Sequence, residues 1–479
     1  MSLPMLNEDV IIQIIKHLQD DKLNLHNCLF ICRQWCRLTI PLLWKQPFSM
    51  ISFNKKKRLL RTYITCLNEE EAKILMAHDL KIDITEKPLF QYAEYLQEFN
   101  DLQLQLMIKS WLPKKEPELL HLIFFKQMCL MFMRHSKHLR TFNINLNSDL
   151  PDSRIFTKVH PGITNLKSLQ FKLDHFHPSK YPNFIDLLER LPNLCFKIEE
   201  LNFSFGKVMN SKDQNFDTTL LVNIIKTQRN LKVFTINKGG NYFGRIIPYL
   251  ELYQANFLNT ITFSFIDFTG FSLEGLMRCH KLKSLTMNFC NELTINHCKE
   301  FSNSTFQIEG LKLLDNKWAP NITITLIQII GENSGESLKD LIIDDFTIST
   351  IQILTDNFHN LNYLYMRNIN LPVIHSHLFY WASKKHELKR LEIRTLKSSS
   401  LNDQLLEMFG ENLPPSLTHL TLNFKFTLKG LENFFKSCKA PLKILRIEET
   451  HMKDIEYTSL IQQYSRRYQN LKIYPIDRK

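Results

Sequence analysis

Residues 258–264 read LNTITFS, residues 282–288 LKSLTMN, residues 308–314 IEGLKLL and residues 338–344 LKDLIID. Each stretch holds one pattern: an apolar residue, two variable ones, an apolar residue, one variable, and a last apolar residue. The alternation at the end of the pattern is that of a short strand with one face buried. The pattern returns as Leu139-Phe142-Ile144, Leu166-Leu169-Phe171, Ile198-Leu201-Phe203 and Leu231-Phe234-Ile236. It continues after residue 344 at Leu361-Leu364-Met366, Leu388-Leu391-Ile393, Leu417-Leu420-Leu422 and Leu442-Leu445-Ile447, with a degenerate copy from Leu471. Twelve clear starts from Leu139 to Leu442 give a mean period of about 27.5 residues. A strand this short cannot cover its own apolar side chains. The next copy covers them, so the copies stack with parallel strands side by side. Segments between strands read as amphipathic helices closing the back: Phe184 to Leu191, Thr219 to Thr227, Gly270 to Cys279, Thr323 to Ile330, Ile348 to Phe358, Asn402 to Phe409 and Leu428 to Cys438.

These units resemble irregular leucine-rich repeats. The Asn or Cys that such repeats carry near the end of the motif is present as Asn147, Cys290 and Asn316, and is replaced by Gly206, Gly239 and Phe346. The resemblance implies an α/β solenoid with parallel strands on a concave face and helices on a convex face, its curvature uneven. The array is expected over residues 137–479, with about 12–13 repeats.

Residues between the apolar anchors face outward from the sheet. Early rows are small and polar, such as Thr260, Thr262 and Ser264, then Ser284, Thr286 and Asn288. Later rows change character: Asp340 and Asp344, then Tyr363, Tyr365 and Arg367, then Arg390, Glu392 and Arg394. Tyr and Arg are enriched where proteins bind one another. Tyr363, Tyr365, Arg367, Arg390 and Arg394 are therefore the expected target-binding patch. The alternative is that charged rows on neighbouring strands simply pair with each other.

The N-terminal stretch from Leu6 to Trp44 has a different texture, LNEDVIIQIIKHLQDDKLNLHNCLFICRQWCRLTIPLLW. Asn7 suits a helix N-cap, and Glu8 and Asp9 suit the first turn, where the helix dipole favours negative charge. Val10, Ile11, Ile14, Ile15 and Leu18 recur at helical spacing. Asp20 and Asp21 break the run. Leu25, Cys28, Leu29, Ile31 and Cys32 begin another, which continues through Trp35 to Trp44, with Pro41 marking a kink or boundary. About three short helices in so few residues cannot bury a full core unaided.

This order of residues resembles the F-box, through Leu6, Asp9, Val10, Ile11, Ile14, Ile15, Leu18, Leu25, Cys28, Ile31, Trp35 and the closing Leu43-Trp44. Asn7 stands where the family usually has Pro, and the loop between Leu18 and Leu25 is slightly long. The resemblance implies docking on a Skp-family adaptor, and through it a cullin. The adaptor-facing residues would be Leu6, Val10, Ile14, Leu18, Leu25, Cys28, Ile31, Trp35, Leu43 and Trp44. The plainer alternative is an N-terminal helical cap on the larger core. With the F-box at 1–48, residues 49–136 read as an all-helical linker. It includes a capping box at Asn68 and Glu71 and a helix opened by Pro88 that runs through Phe99.

Together the two resemblances imply a non-catalytic substrate receptor of an SCF-type ubiquitin ligase, with the repeats binding an unknown protein target. The other reading is a repeat scaffold binding protein or nucleic acid outside any ligase. Composition fits either. Lys+Arg 60 against Asp+Glu 48 leaves +12 over 479 residues, mild for nucleic-acid binding. Basic runs such as Lys55 to Arg58 suit a nuclear address or a solvated helix face. No apolar run is long enough to span a bilayer and no secretory start is present, so the expected location is cytoplasm, nucleus or both. The 10 cysteines lack a framework spacing. Cys28, Cys32 and Cys36 fall at helical spacing, but no closing pair accompanies them, so no metal or other cofactor is expected. Phosphate-loop, dinucleotide, nucleophile-elbow and zinc-protease signatures are absent, which leaves an enzyme without support.

Overall fold

The computed structural model describes residues 7–48, 53–80, 82, 87–113, 117–146, 149–158, 162–173, 178–206, 217–238, 244–344, 346–369, 371–384, 387–395, 402–447, 455–467 and 471–476. The chain divides into two compact units, Met1–Phe234 and Thr235–Lys479.

The first unit opens with three short helices, α1 (Glu8–His17), α2 (Lys22–Asn27) and α3 (Arg33–Leu43). The Asn7 side chain accepts from the Asp9 N–H, so the expected N-cap forms. Asp21 caps α2 in the same way, accepting from the Asn24 N–H at 3.1 Å. Ile11, Ile15 and Leu25 make a small core, against which Leu18, Trp35, Leu38, Leu42 and Leu43 pack. Pro41 does not end the helix. It lies in the last turn of α3, where only one backbone bond is forfeited.

Four more helices follow: α4 (Phe53–Ile64), α5 (Glu69–Met76), α6 (Asp101–Trp111) and α7 (Glu118–His135). The capping box at Asn68 and Glu71 is present, with bonds of 2.8 and 2.9 Å. Glu71 is buried and also accepts from Arg134 on α7 at 2.7 Å, which ties the two helices together. Phe124, Phe125, Met128, Cys129, Met131, Phe132 and Met133 are all buried, so α7 is apolar nearly all round and forms the centre of the unit.

The helix expected from Pro88 through Phe99 is not there. A 3-10 turn occupies Tyr92–Tyr95, and a strand, β1 (Glu98–Asn100), follows. The reason is a cryptic copy of the repeat. Leu96 and Phe99 take the first two anchor positions and Asp101 takes the third. Phe99 stacks on Phe142 with ring centroids 5.1 Å apart. Strands β2 (Thr141–Asn145), β3 (Ser168–Leu173) and β4 (Glu200–Phe205) continue the ladder, all parallel, with Phe99, Phe142, Leu169 and Leu201 in register. A further strand, β5 (Val233–Asn237), falls at the division between the units.

The second unit carries β6 (Thr260–Ser264), β7 (Ser284–Asn288), β8 (Gly310–Leu314), β9 (Asp340–Asp344), β10 (Tyr363–Ile369), β11 (Arg390–Thr395), β12 (His419–Asn423), β13 (Ile444–Ile447) and β14 (Lys472–Pro475). All pair in parallel. One row of anchors runs through them in register: Ile261, Leu285, Leu311, Leu341, Leu364, Leu391, Leu420, Leu445 and Ile473. Those from Ile261 to Leu445 are buried, and burying each such side chain contributes about 1.5–3 kcal/mol. The degenerate copy at Leu471 thus supplies a true strand.

The returning segments form helices at Pro320–Ser334, Ile348–Asn357, Leu371–Ser383, Asn402–Asn412 and Leu428–Ser437. Gly270 to Cys279 departs from expectation, with only a 3-10 turn at Glu274–Leu276. Gly270 sits at φ 79°, which breaks a helix, and Gly275 lies so close to Ile247 that a Cβ would meet it at 3.1 Å.

The Asn/Cys position shows why the repeat wants those residues. The Asn316 side chain accepts from the Cys290 N–H and donates to the Met287 carbonyl, both at 2.9 Å. The Cys290 thiol donates to the Phe263 and Asn288 carbonyls. Each side chain satisfies backbone groups left over where a strand ends. Asn147 and Gly239 lie outside the described residues. The chain folds as an irregular leucine-rich-repeat array behind a helical N-terminal region. Among the described residues, no helix is long and apolar enough to cross a membrane.

Candidate partner-binding surfaces

In the N-terminal helices, α1 turns Ile11 and Ile15 inward and leaves Val10 and Ile14 in solvent. Ile31 is 58% exposed and Phe30 76%. Leu23 is exposed as well. Five large apolar side chains therefore meet water outside the small core of Ile11, Ile15 and Leu25. Of the residues expected to face an adaptor, Val10, Ile14 and Ile31 are on the surface, while Leu18, Trp35, Leu43 and Trp44 are half-buried. Leu25 and Cys28 correct the expectation: both are buried and belong to the core. Leu6 lies outside the described residues. Leu23 and Phe30 were missed because neither keeps the helical spacing of the anchors, and only their exposure marks them out.

Trp44 has a different role. Its ring lies 5.3 Å from Tyr63 and 4.2 Å from Tyr92. Tyr63 in turn contacts Phe132 at 4.7 Å. Just beyond Trp44, the Lys45 carbonyl accepts from the Gln97 N–H at 2.8 Å, one residue before β1. The closing tryptophan thus joins the three-helix stretch to the start of the repeats. Cys28, Cys32 and Cys36 do not share one helix: Cys28 begins a 3-10 turn, and Cys32 is the extended residue that precedes α3. No cluster of His, Cys, Asp or Glu able to hold a metal occurs among the described residues.

On the sheet face of the second unit, the register places Tyr363 beside Arg390, Tyr365 beside Glu392 and Arg367 beside Arg394. All five expected residues therefore come together. Arg390 lies over the Tyr363 ring at 4.4 Å, and Arg394 over the Tyr365 ring at 5.5 Å. The Tyr363 hydroxyl donates to Glu392 at 3.0 Å. Burial, and then the Glu392 carboxylate, push the Tyr363 phenol up from its ordinary value. Burial raises Tyr365 too, against the opposing charges of Arg394 and Arg367.

Arg390 also reaches the Glu392 carboxylate, at 3.5 Å, but Arg367 is the more fully engaged. It bonds to both carboxylate oxygens of Asp344 and to Asp315. Hydrogen bonding to Asp344 first, and to Asp315, raises its pKa despite burial. Its Nε and Nη2 are both engaged, so it positions its neighbours more than it presents itself. Arg394 has no carboxylate in salt-bridge range among the described residues. Beside the patch on β12, the His419 pKa is lowered by burial and by Arg390, Arg446 and Lys443, which marks a locally positive field.

The sequence matches no family model and no curated protein sequence. Among solved structures it is similar to the yeast Rad7 and Elc1 complex, at 16% identity over 98% of this chain and 93% of that one, TM-score 0.43. It is also similar to the leucine-rich-repeat protein LegL7 of Legionella pneumophila, at 12% identity over 68% and 97%, TM-score 0.36. A third is an internalin of Listeria monocytogenes, at 10% identity over 86% and 96%, TM-score 0.32. The fold assignment rests on the strand register and the repeat period themselves.

Proposed function

We propose that this chain is a non-catalytic substrate receptor of an SCF-type, cullin-based ubiquitin ligase. The observation that carries the reading is the exposure of the large apolar side chains Val10, Ile14, Leu23, Phe30 and Ile31 on the helices around the small core. Several large apolar side chains left in water within so short a stretch suit a second protein. The order of residues in this stretch, which resembles the F-box, selects a Skp-family adaptor as that protein. The repeats then hold a target near the ubiquitin-charged enzyme, and the contribution to rate is proximity.

Tyr363, Tyr365, Arg390 and Arg394 are the side chains proposed to meet the target, with Arg367 holding the row in place. The test is capture of a purified Skp-family adaptor by the full chain. Capture by the wild type, and its loss in Ile14→Asp and Ile31→Asp with unchanged melting, supports the reading. Salt-sensitive binding of nucleic acid without adaptor capture would favour the scaffold reading instead.

A further inference from the structure

Four successive repeats end their strands on a residue with left-handed backbone. Lys238 has φ 59°, Phe265 φ 55°, Phe289 φ 53° and Asp315 φ 54°. The N–H groups of the first three donate to the last carbonyls of the following strands, Ser264, Asn288 and Leu314, at 2.8, 2.8 and 2.9 Å. That bond turns the chain away from the sheet at the same point in each copy. Asp or Asn suits this conformation, whereas phenylalanine is among the residues that adopt it least readily. Two neighbouring copies nevertheless carry phenylalanine, and neither ring is buried.

The Phe265 and Phe289 rings stack with centroids 4.5 Å apart and planes 6° from parallel. Each residue remains 41% exposed. Lys238 reaches to 5.4 Å over the Phe265 ring. Repeat order puts Lys238 and Phe289 on opposite sides of Phe265, so both faces of that ring are occupied and its edge is what remains. Strained backbone that holds bulky aromatic groups in solvent has no packing reason and points to use.

We propose that Phe265 and Phe289, with Lys238 and Lys312, form a subsite for an extended peptide carrying an aromatic side chain next to acidic residues. Ring edges carry the positive end of the aromatic quadrupole, so they favour an edge-to-face aromatic partner or a carboxylate oxygen. Lys312 stands level with Thr286 on the neighbouring strand; like Lys238 it has no carboxylate in salt-bridge range among the described residues, and the two supply the matching charge. The adjoining rows, Thr260, Thr262 and Ser264 with Ser284, Thr286 and Asn288, are low and polar, and leave room for a backbone. A nucleobase fits less well on Phe265, because stacking needs an open ring face and both of its faces are taken. This subsite is independent of the adaptor reading and stands or falls separately from it.

The test uses the full chain and three fluorescein-labelled dodecapeptides with a central Trp, Phe or Ala between acidic residues, read by anisotropy. The Trp and Phe peptides are expected to bind at least about tenfold more tightly than the Ala peptide. The double variant Phe265→Asn, Phe289→Asn is expected to lose that tenfold difference. Lys238→Glu, which leaves the rings in place, is expected to weaken all three peptides, and it keeps the test alive should the double variant fail to fold. Equal binding of the Trp and Ala peptides, or undiminished binding by the folded double variant, overturns the proposal. So does a labelled oligothymidine that binds through the rings while the peptides do not. A dimer that the double variant abolishes, with no peptide binding, overturns it in favour of self-association.

Discussion

Arg367 on β10 grips Asp344 on β9 with two parallel bonds, Nε to Oδ1 and Nη2 to Oδ2, each 2.8 Å. Asp344 lies nine-tenths buried, and a second carboxylate, Asp315, closes on the same guanidinium. One side chain thus joins β10 to β9 and to the residue that follows β8. Removing it strands a buried charge. Arg367→Ala is expected to lower unfolding free energy by about 2–4 kcal/mol, towards the lower value because Arg367 keeps 27% of its side chain in water. Arg367→Lys keeps the charge but not the fork, and about 1 kcal/mol should be lost. Urea melts of the two variants read the difference, and an equal loss in both would show that the fork itself adds nothing.

Ile14 and Ile15 are neighbours with opposite environments, one in solvent and one fully buried. Ile15→Ala should cost about 2–4 kcal/mol, as for other core truncations. Ile14→Asp should leave stability within about 0.5 kcal/mol yet abolish adaptor capture. Thermal melts beside a binding assay separate the two, and an Ile14→Asp protein that still captures the adaptor would count against the docking face.

Asp101 stands where other repeats have an apolar anchor. It is buried, and its Oδ1 accepts from the Leu102 and Asn145 N–H groups at 2.6 and 2.7 Å while Oδ2 has no partner. Burial pushes its pKa up to about 7, against the pull of those hydrogen bonds. The folded state therefore holds a proton that the unfolded chain, with a carboxyl near 3.9, releases earlier. Its contribution to stability is full at low pH and falls as pH rises towards 7. Asp101→Asn should flatten that part of the stability profile between about pH 4 and 7. The titratable neighbour Cys129 is raised further still by burial and stays neutral throughout this window. Denaturant melts at intervals of pH provide the check, and a wild-type curve that climbs between pH 4 and 7 by the amount lost in the variant would reverse the assignment.

The strained pair Phe265 and Phe289 yields a stability prediction apart from any ligand. Left-handed backbone costs an ordinary residue about 1–2 kcal/mol, and Asn much less. The ring pair returns about 0.5–1.5 kcal/mol. The double Asn variant should therefore match or exceed the wild type by about 1 kcal/mol. A marked drop in its melting temperature would show that the rings support the fold instead.

Much of the architecture was legible because leucine-rich repeats repeat. Any one copy, such as Leu338-Leu341-Ile343, is a weak signal, but a dozen at near-constant period leave little freedom. The copy at Leu96-Phe99 escaped because Asp101 replaces its last anchor and Pro88 invited a helix. The Tyr363–Arg394 patch was legible as outward rows on adjacent strands. The engagement of Arg367 was not, since it depends on Asp315, two strands away and 52 positions earlier. The F-box resemblance put Leu25 and Cys28 among the adaptor-facing residues, but the order of apolar residues along a chain does not say which of them its own helices cover.

Sequence alone determined the strand pattern, its period, the parallel stacking and the distinct N-terminal helices, because these follow from the local spacing of apolar side chains. Tertiary structure alone decided which apolar residues stay in water, which arginine is neutralised, and that Phe265 and Phe289 stack at the end of their strands. Those outcomes depend on side chains brought together from separate repeats, and on backbone angles that no local preference for phenylalanine would select.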